Sequence, residues 1–275
     1  MSFSVNTNVG AMTALQYLNE TQGQLSQTQS AINSGLKVSS AKDNGAIFAI
    51  AQGERSDVAG FVSVTNSLNN GGSLIDTAMS AGQSISDLLI QLKQQALSAS
   101  DTSLDTASRQ AINANFTALR DQITSIVKNA VFNGTNLVDG STNKIEALAA
   151  SDGTRHVTTS AQNMSLSGTI VTLTSTGTVS TQAKASSMIT TIQSSLTNVD
   201  SALAQLSAGS AKFSIQATFV SKLSDTLTAG IGNLVDANMA NESAMLQSLQ
   251  VKQQLGIQAL SIANQAPQSI LSLFK

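Results

Sequence analysis

The residue types that most often carry chemistry are scarce in this chain. His156 is the single histidine, and cysteine is absent. A Ser-His-Asp triad or a lone metal ligand could use His156. Its surroundings, Gly153-Thr-Arg-His-Val, form no catalytic arrangement, so a solvated loop or strand histidine is expected. Without Cys there are no disulfides, thiol nucleophiles or thiolate metal sites. Metal sites need several convergent ligands, and the 16 Asp and Glu residues are dispersed. Neither an EF-hand loop nor an HExxH occurs, and the glycines follow neither the GxGxxG nor the P-loop pattern. Asn115-Phe-Thr and Asn133-Gly-Thr match an N-glycosylation acceptor, a short pattern that means little without a suitable secretory pathway. The expectation is a protein that is not an enzyme, with no catalytic, cofactor-binding or metal residues.

Composition narrows the class further. Charged residues make up 11%, against about 25% in an average soluble domain. Aromatics make up 3% and net charge is −2. Arg55, Arg109, Arg120 and Arg155 are scattered, so no nucleic-acid partner is expected. Hydrophobic residues reach 41%, which together with the low net charge argues against wholesale disorder. No apolar run approaches about 18 residues, so no membrane insertion is expected. The start, Met1-Ser-Phe-Ser-Val-Asn, shows no Sec-type signal peptide. With few large aromatics, the core must be thin and built from close contacts between aliphatic side chains.

The elements that must position these residues are helices. From Ile189 onward, apolar residues alternate at spacings of three and four: Ile189, Ile192, Leu196, Val199, Leu203, Leu206, then Phe213, Ala217, Val220, Leu227, Ile231, Leu234. Ser210 and Ser224 fill the two gaps in register. Such spacing marks a coiled-coil-type seam, and its length favours a rod over a globular helix. A second seam holds Ile75, Ala78, Gly82, Ile85, Leu89, Leu92 and Ala96. A third holds Ile112, Phe116, Leu119, Ile123, Ile126 and Ala130. The polar stretch Ser98-Ala-Ser-Asp-Thr-Ser103 between them predicts an antiparallel helical hairpin. The pattern Ser40-Ala-Lys-Asp43 fits a capping box that starts the helix leading into the second seam. Within that helix Gly71-Gly72 marks either a kink or a close packing contact.

The two ends share a weaker pattern. Ala11, Leu18, Leu25 and Ile32 repeat every seventh position. Near the other end, one row holds Val235, Leu249, Ala263 and Ile270, interrupted by Glu242 and Gly256. A second holds Met239, Leu246, Leu260 and Phe274, interrupted by Gln253 and Pro267. Broken seams make weak coiled coils, so both ends are expected to be mobile in the monomer and helical only with partners. The simplest partner for each is the other terminus and the termini of neighbouring copies. The middle differs: Asn133-Gly134 and Asp139-Gly140 are turn signals, and Val157-Thr-Thr and Thr169-Ile-Val-Thr-Leu-Thr read as short strands.

Four motifs in order carry a resemblance. Near the start stands Asn6-Thr-Asn-Val-Gly-Ala-Met-Thr-Ala-Leu15, followed by Ile32-Asn-Ser-Gly-Leu-Lys-Val-Ser-Ser-Ala-Lys-Asp43. Then comes Phe132-Asn-Gly-Thr-Asn-Leu137, and finally Ala263-Asn-Gln-Ala-Pro-Gln-Ser-Ile-Leu-Ser-Leu273. With these the chain resembles bacterial flagellin over essentially its whole length.

The resemblance implies a mainly α fold: long antiparallel helices forming a rod, a terminal coiled coil of N- and C-terminal helices, and a small β-hairpin region in the middle. Five segments are expected: 1–42 and 235–275 as core helix segments, 43–142 as a helical hairpin of the rod, 143–180 as a short β-rich insertion, and 181–234 as the long helix returning through the rod. The insertion is shorter than the roughly 50 residues of the smallest domains, which marks a minimal form without outer domains.

The resemblance also implies a function. It is a structural subunit that polymerises into the helical flagellar filament for swimming motility. Partners are copies of itself, the flagellum's own type III export apparatus and its chaperone, and the filament cap and hook-junction proteins. The expected location is the extracellular flagellum. Leu18, Leu25, Ile32, Leu246, Leu249, Leu260 and Leu271 are the expected filament-core assembly contacts. The expected rod core is Ile85, Leu89, Leu92, Phe116, Leu119, Ile123, Leu196, Leu203, Leu206 and Phe213. One departure stands in Leu89-Ile-Gln-Leu-Lys-Gln-Gln-Ala-Leu-Ser98. Gln91 takes the place of an Arg, and Gln95 of a Leu, in the stretch bound by the vertebrate Toll-like flagellin receptor. Loss of the guanidinium fork predicts weak stimulation of that receptor. The alternative is a hook–filament junction protein with flagellin-like ends. A flagellin carrying an inserted peptidase would need an HExxH and room that this chain lacks.

Overall fold

The computed structural model describes the backbone of residues 7–272 and the side chains of residues 7–265. The chain order is α1 (Val9–Ser34), α2 (Gly45–Ala99), α3 (Thr106–Asn129), β1 (Val131–Phe132), β2 (Thr135–Asn136), β3 (Lys144–Leu148), β4 (His156–Ser160), α4 (Gln182–Val235) and α5 (Met239–Ser272). Contacts group the chain into two units, one of residues up to 56 together with those from 226 on, the other of residues 57–225.

In the second unit, α2 and α4 lie antiparallel. Three contacts set their register: Gly71 beneath Phe213, Gly82 beneath Leu203, and Lys93 Nζ donating to Gln193 Oε1. A Cβ on Gly71 would stand 2.3 Å from Phe213 Cε1, so this glycine marks a close packing contact. Both heptad rows of the α2 seam are buried, from Ile75 through Ala96. The α4 seam divides. Ile192, Val199, Leu206, Phe213 and Val220, seven residues apart, are buried, while Ile189, Leu196, Leu203 and Ala217 are half-buried. The first row therefore points to the core centre and the second flanks it.

On α3 Phe116 and Ile123 are buried and Leu119 is half-buried, and Ala130, the residue that caps its end, is buried. The same row begins with Arg109, only 9% exposed. Its guanidinium donates to the carbonyls of Ala99, of Asp101 at 3.1 Å and of Leu104 at 3.2 Å. These are the carbonyls that the end of α2 and the following turn leave unpaired. Asp105 caps α3 by accepting from the Ser108 amide at 2.9 Å.

Two differences from the expected elements have local causes. α2 starts at Gly45 rather than at Ser40, because Asn44 is its cap and accepts from the Ile47 amide at 3.1 Å. Asp43 does reach back, accepting from the amides and hydroxyls of Ser39 and Ser40, but this closes a turn in front of the helix. The second difference is Thr169–Thr174, which is irregular rather than a strand. Its backbone is held by side chains and its own turns: the Thr172 amide donates to Ser195 Oγ, and the Ser167 and Gly168 amides donate to Leu173 and Val171 carbonyls. Val171 and Leu173 are fully buried, so these apolar residues fill a helix-packed layer without a strand partner. The strand partner of β4 is instead β3, with Lys144 opposite Ser160 and Leu148 opposite His156. Asn133 (φ 47°) and Gly134 (φ 79°) make the tight β1–β2 turn, where both central residues are left-handed.

In the first unit, α1 and α5 are both helical and pack antiparallel against each other. Asn8 caps α1, accepting from the Ala11 amide, and its Nδ2 reaches the Ala263 carbonyl at 2.7 Å. Gly35 ends α1 at φ 72°. The chain after it is tied to the end of α4: the Lys37 amide donates to Val235, and the Ala237 amide returns to Gly35. Asn238 then caps α5.

Candidate functional site

The proposed assembly residues fall on α1 and α5. Leu25 and Leu249 are buried, at 6% and 1% exposure. Leu18, Ile32, Leu246 and Leu260 are half-buried. The side chain of Leu271 lies outside the described residues. Two of the interruptions in the C-terminal rows are matched from α1. A Cβ on Gly256 would stand 3.3 Å from Leu18 Cδ1, so the missing side chain leaves room for that leucine. Gln253 donates to Gln22 Oε1, so an amide meets an amide. Glu242 lines a groove of about 730 Å³ with Lys37, Lys42 and Leu249.

What sequence reasoning missed lies outside the seams. On α1, Val9, Met12, Leu15 and Tyr17 are exposed, Val9 at 68%. On α5, Met245, Val251, Leu255, Ile257 and Ile262 are exposed, Ile262 at 69%. The available signal was simple: apolar residues at helix positions that the heptad rows do not use. A helix that is apolar on more than one face has more than one face to bury. The α1–α5 pair satisfies one face on each helix and leaves the others open.

In the second unit, Ile85, Leu89, Leu92, Phe116, Ile123, Leu206 and Phe213 are buried, while Leu119, Leu196 and Leu203 are half-buried. Gln91 is exposed and Gln95 half-buried on α2. His156 is exposed on β4. The carboxylates with shifted titration are exposed residues of turns, of the α3 cap and of strand β3. The Ser40 amide, then the Ser39 hydroxyl and amide, hold Asp43 below the usual carboxylate range. The Ser103 amide and hydroxyl do the same for Asp101, and those of Thr154 for Asp152. Glu146 is lowered by its bond to Lys144. Each shift reflects local turn or strand pairing rather than a pair of groups poised for proton transfer. Among the described residues, no group of three or more His, Asp or Glu is placed to hold a metal, and no helix is long and apolar enough to cross a membrane.

Three further residues escaped the sequence reading. Asn136 is buried, donates to the Val127 carbonyl at 2.7 Å and accepts from the Val138 amide at 2.8 Å. It closes the end of α3 onto the β1–β2 hairpin. Arg120 donates to the Gly177 carbonyl at 2.8 Å, and Asn113 accepts from the Val179 amide, so α3 holds the segment that enters α4.

Family comparison agrees with this arrangement. Residues 5–143 match the bacterial flagellin N-terminal helical region and residues 189–274 the bacterial flagellin C-terminal helical region. Flagellin FljK of Caulobacter vibrioides is 52% identical over 272 residues, covering 99% of this chain and 98% of that protein. A flagellin of Brucella melitensis is 35% identical over 281 residues, covering 99% of each. The crystal structure of Bacillus cereus flagellin aligns with 66% of this chain and 94% of its own, at 18% identity and a TM-score of 0.42. Matching helical regions at both ends, separated by a short middle, make this chain a member of the bacterial flagellin family in a minimal form.

Proposed function

We propose that the chain is the structural subunit of a bacterial flagellar filament and polymerises into a helical homopolymer for motility. One observation carries the mechanism: the α1–α5 pair leaves apolar side chains exposed on both helices after its own seam is closed. Those faces contact other copies. Contacts between different surfaces of identical subunits propagate without closing, which generates a filament. Nothing observed favours the hook–filament junction alternative. The chain acts by assembly and performs no catalysis.

The finer parts of the proposal follow from family membership. Segments 1–42 and 235–275 form the filament core, with Leu18, Leu25, Ile32, Leu246, Leu249, Leu260 and Leu271 holding it. Segments 43–142 and 181–234 form the rod, with 143–180 as the short insertion. The chain leaves the cell through the flagellum's own export apparatus with a chaperone, and meets cap and hook-junction proteins at the filament ends. Its filament is extracellular. Gln91, exposed on α2, lacks the charge and donor fork of an Arg. Together with Gln95 it lowers stimulation of the vertebrate Toll-like flagellin receptor. A reporter-cell assay that responds normally at nanomolar protein overturns that part.

Seeded polymerisation followed by negative-stain microscopy tests the main reading. Long helical filaments are expected from the purified chain. Soluble protein that stays monomeric after seeding, with its helices intact by circular dichroism, overturns it.

A further inference from the structure

A polar groove of about 710 Å³ lies in the second unit, between α2, the β1–β2 hairpin and β3. Ser63, Asn66, Ser67 and Asn70 line it from one face of α2, at the spacing that stacks side chains along a helix. Thr142 and Glu146 line it from the opposite side, and Phe132 contributes a half-exposed ring.

The hydroxyls of Thr65, Ser73, Thr77, Ser80 and Ser84 on α2 bond back to their own helix, four residues earlier. Ser63, Asn66, Asn70, Thr135 and Thr142 have no side-chain hydrogen bond among the described residues. Ser67 alone is engaged, accepting from the Leu148 amide at 3.1 Å, which holds β3 against the helix. Two planar amides and several hydroxyls thus face the groove with their bonding capacity intact.

Charge selects the ligand class. Lys144 and Glu146, the two ionisable residues lining the groove, pair with each other at 2.5 Å. The groove is locally neutral and offers no net attraction to an ion. Phe132 is one of eight Phe in a chain with no Trp, and Phe61, Phe116 and Phe213 are buried in the core. An aromatic face beside free amides suits a ligand with one C–H face and a rim of hydroxyls. We propose that this groove binds a neutral oligosaccharide, with a pyranose ring on Phe132 and its hydroxyls on Asn66, Asn70 and the Lys144–Glu146 pair.

The probes are maltotetraose, cellotetraose and tetraacetyl-chitotetraose, each titrated into the unpolymerised full-length chain. Nitrogen-15 spectra report the side-chain amides of Asn66 and Asn70, and saturation transfer reports the sugar protons. At least one probe is expected to shift both amides. Asn66→Ala with Asn70→Ala should weaken its binding about tenfold or more, as losing two neutral hydrogen bonds implies. Both residues are exposed on a helix that tolerates Ala, so the fold should survive. Asn70→Gln, which keeps the amide and displaces it, should weaken binding as well. Seeded assembly of these variants should be unchanged, which separates this proposal from the filament reading. Absence of binding by all three sugars at millimolar concentration overturns it, as does binding insensitive to both variants. Loss of assembly in the double variant also overturns it, by assigning the groove to contacts between copies.

Discussion

Gly71 and Gly72 are adjacent on α2 and have opposite surroundings. A methyl on Gly71 meets the Phe213 ring, whereas one on Gly72 meets nothing within 4 Å. Gly71→Ala should therefore destabilise the second unit by roughly 1–3 kcal/mol through overpacking. Gly72→Ala should stabilise it by up to about 1 kcal/mol through helix propensity. Thermal melts of the two variants, shifting in opposite directions, check this pair. Arg109 is the other residue of large expected effect. Arg109→Met should cost about 2–4 kcal/mol, because three carbonyls at the α2–α3 turn lose their charged donor. Hydrogen exchange localised to residues near Ala99 would report it. The sequence showed Arg109 only as one of four scattered arginines. Nothing in its spacing revealed that the side chain turns toward the end of the preceding helix.

Helix termini explain most of what the sequence reading placed and misplaced. The three seams were legible because burial repeats with the helical period, but spacing alone did not separate the buried row on α4 from the half-buried one. Strand pairing was less legible, since Thr and Val favour strands only where a partner strand exists. Thr169–Thr174 instead meets Ser195 on α4. Charge also acts at this scale. Asp43 holds the turn before α2, and its carboxyl is lowered by the bonds it accepts in the folded chain. A depressed carboxyl contributes stability above its unfolded value, and loses that contribution as pH falls through the folded one. The turn should therefore persist at neutral pH and loosen only below about pH 3.8, the ordinary value for this group. Asp43→Asn should remove that acid-dependent loosening, read from amide exchange at Ser39 and Ser40 across pH.

For the whole molecule, the seam residues and the exposed apolar residues predict different failures. Leu249 is 1% exposed, so Leu249→Asp buries an unpaired charge and should unfold the α1–α5 pair, at a cost of roughly 3 kcal/mol or more. Ile262 is 69% exposed, so Ile262→Asp should leave the monomer's helicity and melting unchanged while abolishing filaments. Circular dichroism beside seeded assembly separates the two. Filaments of normal length from Ile262→Asp would count against α5 as a contact surface. The seam was readable from the sequence because both its halves lie in one chain. The outer surface was not, because its burial depends on other copies.

The recess at Gly256 has a consequence for conformational homogeneity. Sliding α5 by one heptad along α1 would preserve most leucine contacts but take Leu18 away from that recess. The amides of Gln22 and Gln253 lie at the solvent edge of the seam, where a lone one is hydrated at little cost, so the alignment rests on the recess. Gly256→Leu should lower the melting temperature and broaden it, as slipped pairings join the population. A part that stacks on copies of itself gains from arriving in a single alignment, and a notch the size of one missing side chain favours that alignment.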